Sequence, residues 1–225
     1  PISGERVSTN QIVSAQPGLV LQEKGQLTRA QIWGATIFVD HATKWIKVHL
    51  MQNATGDETL EAKESFKHAS STRGVQVQHY HADNGRFAES MFVNDCKSKM
   101  QKILFCGVGA HYQNGVAENC IKQLTLTART LLLHAQRYWP EYITTMMWPY
   151  ALLAAADRIN NLHIDLNGKT PEMKFSRTAG ASTRLNNFHT FGCPAYILDA
   201  RLQDAGGPGA PKWELCSRLG IYVGQ

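Results

Sequence analysis

Residues 34–50 read GATIFVDHATKWIKVHL, two short runs rich in β-branched and aromatic residues separated by a polar break. In the second run Trp45, Ile46, Val48 and Leu50 put apolar and polar residues nearly in alternation, the period of a strand with one face on a core. With the similar run over residues 5–14, the stretches 34–40 and 44–50 predict three antiparallel strands. Thr55 or Asp57 can cap a helix over 57–72, which Gly74 stops. Residues 75–81 then alternate Val75, Val77 and His79 against Gln76, Gln78 and Tyr80, a fourth strand ending at the turn Ala82-Asp83-Asn84-Gly85.

Beyond the turn, a helix is predicted over 89–101, a fifth strand at Ile103-Leu104-Phe105-Cys106 and a glycine-containing loop over 107–115. A long helix follows from Gly115 to about His134, with Ala117, Ile121, Leu124, Ala128 and Leu131 on one stripe. The order βββαβαβ makes an α/β fold: a five-stranded mixed sheet flanked by helices. A further helix over 141–162, apolar on most sides and kinked at Pro149, should lie between the core and the tail. From 163 onward Asn, Gly, Pro and short apolar runs, including Gly206-Gly207-Pro208-Gly209, predict loops and a few strands wrapped over the core. The expected organisation is a core over 1–162 and a C-terminal extension over 163–225.

Apolar types at 43% and charged residues at 18% exclude the low-hydrophobicity, high-charge disordered class. The excess of 23 Lys+Arg over 18 Asp+Glu, +5, suits a polyanionic partner without requiring one. The charge-free apolar stretch from Ile143 to Ala156 is 14 residues long and contains Pro149, too short and broken to span a bilayer. Five cysteines (Cys96, Cys106, Cys120, Cys193, Cys216), without a Cys-x-x-Cys, argue against a disulfide framework and a zinc site and for an intracellular reducing compartment. The nine histidines show no metal-ligand spacing. The chain opens on Pro rather than Met, as a piece of a longer protein would.

Asp83 lies just past the fourth strand and Glu118 in the first turn of the long helix, with 34 residues between them. Strand ends and helix starts gather on one edge of a mixed sheet, so the two carboxylates can converge there. Converging carboxylates offer the hard oxygen ligands that Mg²⁺ prefers, and two such ions serve phosphoryl transfer. Each residue also has an ordinary role: Asp-Asn-Gly makes turns, and a Glu in a first helical turn favours the helix dipole. Lys122, one turn beyond Glu118 on the same face, is placed either to meet a DNA phosphate or to pair with Glu118.

The segment His81-Ala82-Asp83-Asn84-Gly85-Arg86-Phe87, followed by Gly107-Val108-Gly109-Ala110-His111-Tyr112-Gln113-Asn114-Gly115-Val116-Ala117-Glu118, resembles the second and third catalytic blocks of copia-type LTR retrotransposon integrases. The likeness extends through Phe38-Val39-Asp40-His41, Ala128-Arg129, Phe191-Gly192-Cys193-Pro194 and Gly220-Ile221-Tyr222-Val223-Gly224, and so covers practically the whole chain. It implies a ribonuclease H-like core that uses an Asp, Asp, Glu set with two Mg²⁺ (or Mn²⁺) ions for 3′-end processing and strand transfer of element DNA, as part of a Pol polyprotein. Asp83 and Glu118 match the second and third positions, and Asn10 falls where the first catalytic Asp belongs. A neutral amide there removes a charge from the metal site, so metal binding and activity should be weakened. Asp40 matches a non-catalytic position. The 107–115 loop resembles the family's mobile active-site loop, in which Gln113 and Asn114 would touch DNA, and Asn84 either orients Asp83 or serves as a turn residue.

The resemblance also implies double-stranded DNA (element ends and target) as partner, a homo-oligomer, no membrane, and a place in the nucleus or a cytoplasmic virus-like particle. Two other functions compete with an impaired integrase. One is a non-catalytic remnant that binds nucleic acid or a partner, which Asn10 favours. The other is a ribonuclease-H-like nuclease, which the Gln113 to Glu118 block disfavours.

Overall fold

The computed structural model describes residues 2–20, 28–107, 111–178, 188–199, 202 and 215–224. Strands β1 (Arg6–Leu19), β2 (Gln31–Asp40) and β3 (Ile46–Met51) form the predicted antiparallel set. Helix α1 (Gly56–Ser71) leads to β4 (His79–Ala82), and α2 (Ser90–Ser98) to β5 (Lys102–Phe105). β4 and β5 both join in parallel, giving one five-stranded mixed sheet in the order β3-β2-β1-β4-β5. Helices α3 (Gly115–Tyr138), α4 (Trp148–Leu162) and α5 (Pro171–Ser176) follow, and β6 (Pro194–Leu198) pairs with β7 (Ser217–Ile221) as a separate antiparallel ribbon.

The alternation of β2 sorts its side chains between two cores. Ala35, Ile37 and Val39 face a cluster built from α3 and α4, whereas Phe38 faces Phe66 of α1, Tyr80 of β4 and Phe92 of α2. Phe38 stacks on Phe66 with ring centroids 4.6 Å apart. Helix α1 starts where Thr55 accepts a hydrogen bond from the Glu58 N–H, a cap worth about 1 kcal/mol. The expected stripe of α3 does face the core: Ala117, Leu124 and Ala128 are buried, with Ile121 and Leu131 packed beside them.

Four details depart from the sequence reading. β1 runs to Leu19 rather than 14, past Pro17, because a register shift between Val13 and Gly18 absorbs the residue that cannot donate to the ladder. Its far end is tied to α4 by hydrogen bonds from Trp148 Nε1 to the Gln16 carbonyl (3.2 Å) and from the Tyr150 hydroxyl to the Val20 carbonyl (2.9 Å). β4 begins at His79, not 75: the alternation of Val75 and Val77 records burial rather than pairing, for the Val75 N–H is taken by the Ser70 carbonyl at the end of α1 (3.0 Å). α4 begins at Trp148 rather than 141, after a short 3-10 turn, so Pro149 sits in the first turn, where its missing N–H costs nothing, and makes no kink. Finally, α5 forms within the stretch beyond 163 for which the sequence predicts loops and strands. Thr170 caps it through the Met173 N–H (3.2 Å), and its Phe175 stacks on Trp45 at 4.3 Å, which fixes this part of the extension to the core. Gly206-Gly207-Pro208-Gly209 lies outside the described residues.

Candidate nucleic-acid and metal site

The carboxylates reach the sheet edge from separate elements. β1 and β4 are parallel with Ser8 opposite His81, so the same register carried on by two residues brings Asn10 level with Asp83, just past the end of β4. The turn after β4 is tied to β5 by Asn84, whose side-chain amide donates to the Cys106 carbonyl at 2.6 Å. That bond fixes the loop rather than the Asp83 carboxylate, which itself accepts from the Gly85 N–H at 3.2 Å. Glu118 is exposed in the first turn of α3. Burial raises the Cys106 thiol pKa, and the negative charges of Asp83 and Glu118 raise it further.

The start of α3 is held against β1. Asn114 is 1% exposed, and its amide donates to the Thr9 carbonyl at 2.9 Å, beside Asn10. It occupies the cap position without capping the helix, and its Oδ1 is buried with no partner among the described residues. Gln113 accepts from the Gly107 N–H at 2.8 Å, closing the loop across its base. Asn10 accepts from the N–H of its neighbour Gln11 at 2.8 Å, so its amide oxygen is turned back on its own backbone. Lys122 is exposed, and among the described residues it forms no ion pair with Glu118.

Asp40 is engaged elsewhere. It is level with Val7, fully buried, and accepts from the Gly4 N–H (2.9 Å) and from the Thr43 N–H and hydroxyl (both 2.8 Å). Its oxygens stabilise the β2–β3 turn.

Sequence reasoning missed the polar row below the carboxylates. Ser8 bonds His41 (Oγ to Nε2, 2.7 Å), and His81 Nε2 lies 3.9 Å from Cys106 Sγ. The available signal was strand alternation, which puts Ser8 on the face of Asn10 and His81 on the face of Asp83. Burial pulls His41 down to about 4, helped by the charges of Arg6, Lys44 and His81. Burial followed by Arg6 lowers His81. Both imidazoles are therefore neutral at pH 7. Among the described residues no group of three His, Cys, Asp or Glu is placed to hold a metal ion. What the edge offers instead is two carboxylates and an amide, all hard oxygen donors of the kind Mg²⁺ takes.

No protein-family model matches the chain, and no curated protein matches it either. Solved structures do. The catalytic core domain of HTLV-2 integrase in complex with magnesium, in its trimeric form, superposes with a TM-score of 0.54 at 17% identity, covering 77% of this chain and 97% of that one. The catalytic core domain of BIV integrase gives 0.54 at 16% identity, with 77% and 95% covered. The simian T-cell lymphotropic virus intasome in complex with the PP2A regulatory subunit B56 gamma gives 0.57 at 16% identity, covering 98% of this chain and 68% of that one. The chain has the ribonuclease H-like fold of retroviral integrase catalytic cores.

Proposed function

We propose that this chain is the catalytic core of a DNA integrase of the copia retrotransposon type, impaired at its metal site by Asn10. The observation that supports the reading is the parallel pairing of β1 and β4, whose register carried on by two residues puts Asn10 level with Asp83, with Glu118 in the first turn of α3. The shared fold with integrase cores, one of them solved with magnesium, supports it.

Asp83 and Glu118 would hold Mg²⁺ or Mn²⁺, with Asn10 contributing at most one neutral oxygen where a carboxylate would bridge two ions. Bound ions would activate the attacking hydroxyl and stabilise the leaving oxygen in phosphoryl transfer. The chain's own residues orient the DNA. Lys122 and Gln113 stand at the exposed side of the edge, Asn84 fixes the turn that carries Asp83, and Asn114 anchors the helix that carries Glu118. The partner is double-stranded DNA, both element ends and target. A homo-oligomer is the expected assembly, since the HTLV-2 core is described in dimeric and trimeric forms. The expected place is the nucleus or a virus-like particle; among the described residues no helix is long and apolar enough to cross a membrane.

A labelled duplex end tests the reading in a cleavage and strand-joining assay with Mg²⁺ or Mn²⁺. Loss of the second ion's anionic ligand removes several kcal/mol of transition-state stabilisation, so the native sequence should run on the order of a thousandfold below Asn10→Asp. Adding Asp83→Asn or Glu118→Gln to Asn10→Asp should abolish the gain. A native protein as fast as Asn10→Asp would remove Asn10 from the metal site. A second reading, a non-catalytic nucleic-acid-binding remnant, is favoured by the engagement of Asn10 Oδ1 with its own backbone. It predicts DNA binding with no activity in either variant.

A further inference from the structure

A cavity of about 510 Å³ opens between the β2–β3 turn, the first turns of α3 and the α4–α5 connection. Its rim is basic and amide-bearing: Lys44 from the turn, Asn119 and Gln123 from α3, His163 after α4 and Lys174 from α5, against the single carboxylate of Asp165. Asp165 is already matched by Lys174 (3.3 Å) and by the Asn167 and Lys169 N–H groups (2.9 and 3.0 Å). Among the described residues Lys44 has no ion pair, and the side chains of Asn119 and Gln123 have no hydrogen bond. The rim therefore carries an uncompensated positive charge and free donors.

Lys44 is held out deliberately by its backbone. It is a non-glycine residue at φ 64, a conformation that L side chains adopt at a cost. The turn that imposes it is locked on both sides, by the buried Asp40 holding Thr43 and by Trp45, whose indole N–H donates to Glu172 at 2.6 Å. The Lys44 charge also crosses the cavity: it opposes the burial that pushes the Cys120 thiol on α3 up to about 12. Asn119 and Gln123 are each the next residue after Glu118 and Lys122, so the cavity wall is the helix face adjoining the carboxylate edge, about 100° around the axis. The uncapped start of α3 adds its dipole to the same rim.

We propose that this cleft is a second backbone-binding track for duplex DNA, in which Lys44, Asn119 and Gln123 hold phosphates as the strand leaves the carboxylate edge. The proposal rests on the DNA-handling reading above and adds to it the face of α3 that carries Asn119 and Gln123, about 100° around the axis from Glu118 and Lys122. The contacts are to phosphate, so they give affinity without reading sequence.

The test is fluorescence anisotropy of a labelled duplex with the whole chain from about 50 to about 200 mM salt, the range over which phosphate contacts weaken most visibly. Lys44→Gly removes the ammonium and relieves the positive φ, so it keeps the fold; Lys44→Glu and Gln123→Glu reverse or oppose the field. Lys97→Glu, on α2 across the sheet, controls for net charge. Expected for Lys44→Gly is a fall of about 0.9 in the slope of log affinity against log salt, one phosphate contact. Lys44→Glu and Gln123→Glu should each weaken binding several-fold more than Lys97→Glu does. An unchanged slope in Lys44→Gly, or equal losses in Lys44→Glu and Lys97→Glu, overturns the track. If Lys122→Ala still weakens binding in that case, the DNA reading itself stands. A native chain that binds no duplex at low salt overturns both.

Discussion

The two sides of the sheet treat charge in opposite ways. Between α1 and α2, Lys63 is fully buried, yet its ammonium meets the Asp95 carboxylate and lies 5.2 and 5.5 Å from the Tyr80 and Phe92 ring centroids. Lys99 reinforces the same carboxylate at 2.7 Å and pairs with Glu64. At the start of α3, by contrast, Glu118 and Lys122 face solvent without an ion pair among the described residues, and Asn114 leaves a buried oxygen unpaired. The first arrangement holds two helices together. The second leaves charged groups unmatched at the surface, as the proposed DNA-handling role requires.

The sharpest way to break the comparison is to remove one carboxylate from each side. Asp95→Ala strands the buried ammonium of Lys63 and should cost about 3 to 5 kcal/mol by urea denaturation. The double change Lys63→Met, Asp95→Leu keeps the volume without the charges and should recover most of that loss. Glu118→Gln, at an exposed unpaired position, should stay within about 0.5 kcal/mol. Equal costs for Asp95→Ala and Glu118→Gln would mean that Glu118 is structural.

Acid separates the two sides by a different route. The Asp95 carboxyl is raised by its partial burial but lowered more by hydrogen bonds from Lys63 and Lys99, for a net lowering. Its contribution is complete above the unfolded value of about 4 and is lost as pH falls through its lower folded value. His41 behaves as a group that resists charging: its folded value is about 4, and the unfolded chain takes up the proton near 6.5. Between those values the unfolded state binds more protons, so stability should fall as pH drops from about 6.5 to about 4. A thermal scan series across this range should show the decline in the native protein and a flatter profile in His41→Gln. An unchanged profile would show that His41 takes up its proton in the folded state as easily as in the unfolded one.

How legible these features were depends on how local their causes are. The β2–β3 hairpin and the α3 stripe could be read because each residue's face follows from its own neighbours in sequence, with period 2 or 3.6. Asp83 and Glu118 were visible because a turn and a helix start announce themselves. The extension of β1 past Pro17 was not, since the compensating register shift and the bonds from Trp148 and Tyr150 come from residues more than a hundred positions away. The His41–Ser8 pair and the approach of His81 to Cys106 were legible only in part, since alternation gives the face of each residue but not its partner on another element, 33 and 25 positions away. Thr170-Pro171-Glu172, by contrast, is a local helix start, a cap residue followed by proline and an acidic first turn, so α5 has a signal in its own sequence.

A small expected effect at a buried position sharpens the comparison most, because it separates positioning from stability at α3. Asn114→Ala deletes the bond to the Thr9 carbonyl, worth about 0.5 to 1.5 kcal/mol, but also deletes the buried unpaired Oδ1, whose presence in the native protein costs a comparable amount. The two changes oppose each other, so the net loss by urea denaturation should be under about 1 kcal/mol. Thr55→Ala should lose more, about 1 kcal/mol, because that cap satisfies a donor and relieves nothing. The first turn of α3 should nonetheless loosen against β1, and amide exchange at Val116 to Glu118 should rise while exchange in the body of the helix stays as it was. An Asn114→Ala loss above about 3 kcal/mol would place this residue among the groups that hold the fold together, and the contrast between the two sides of the sheet would fail at α3.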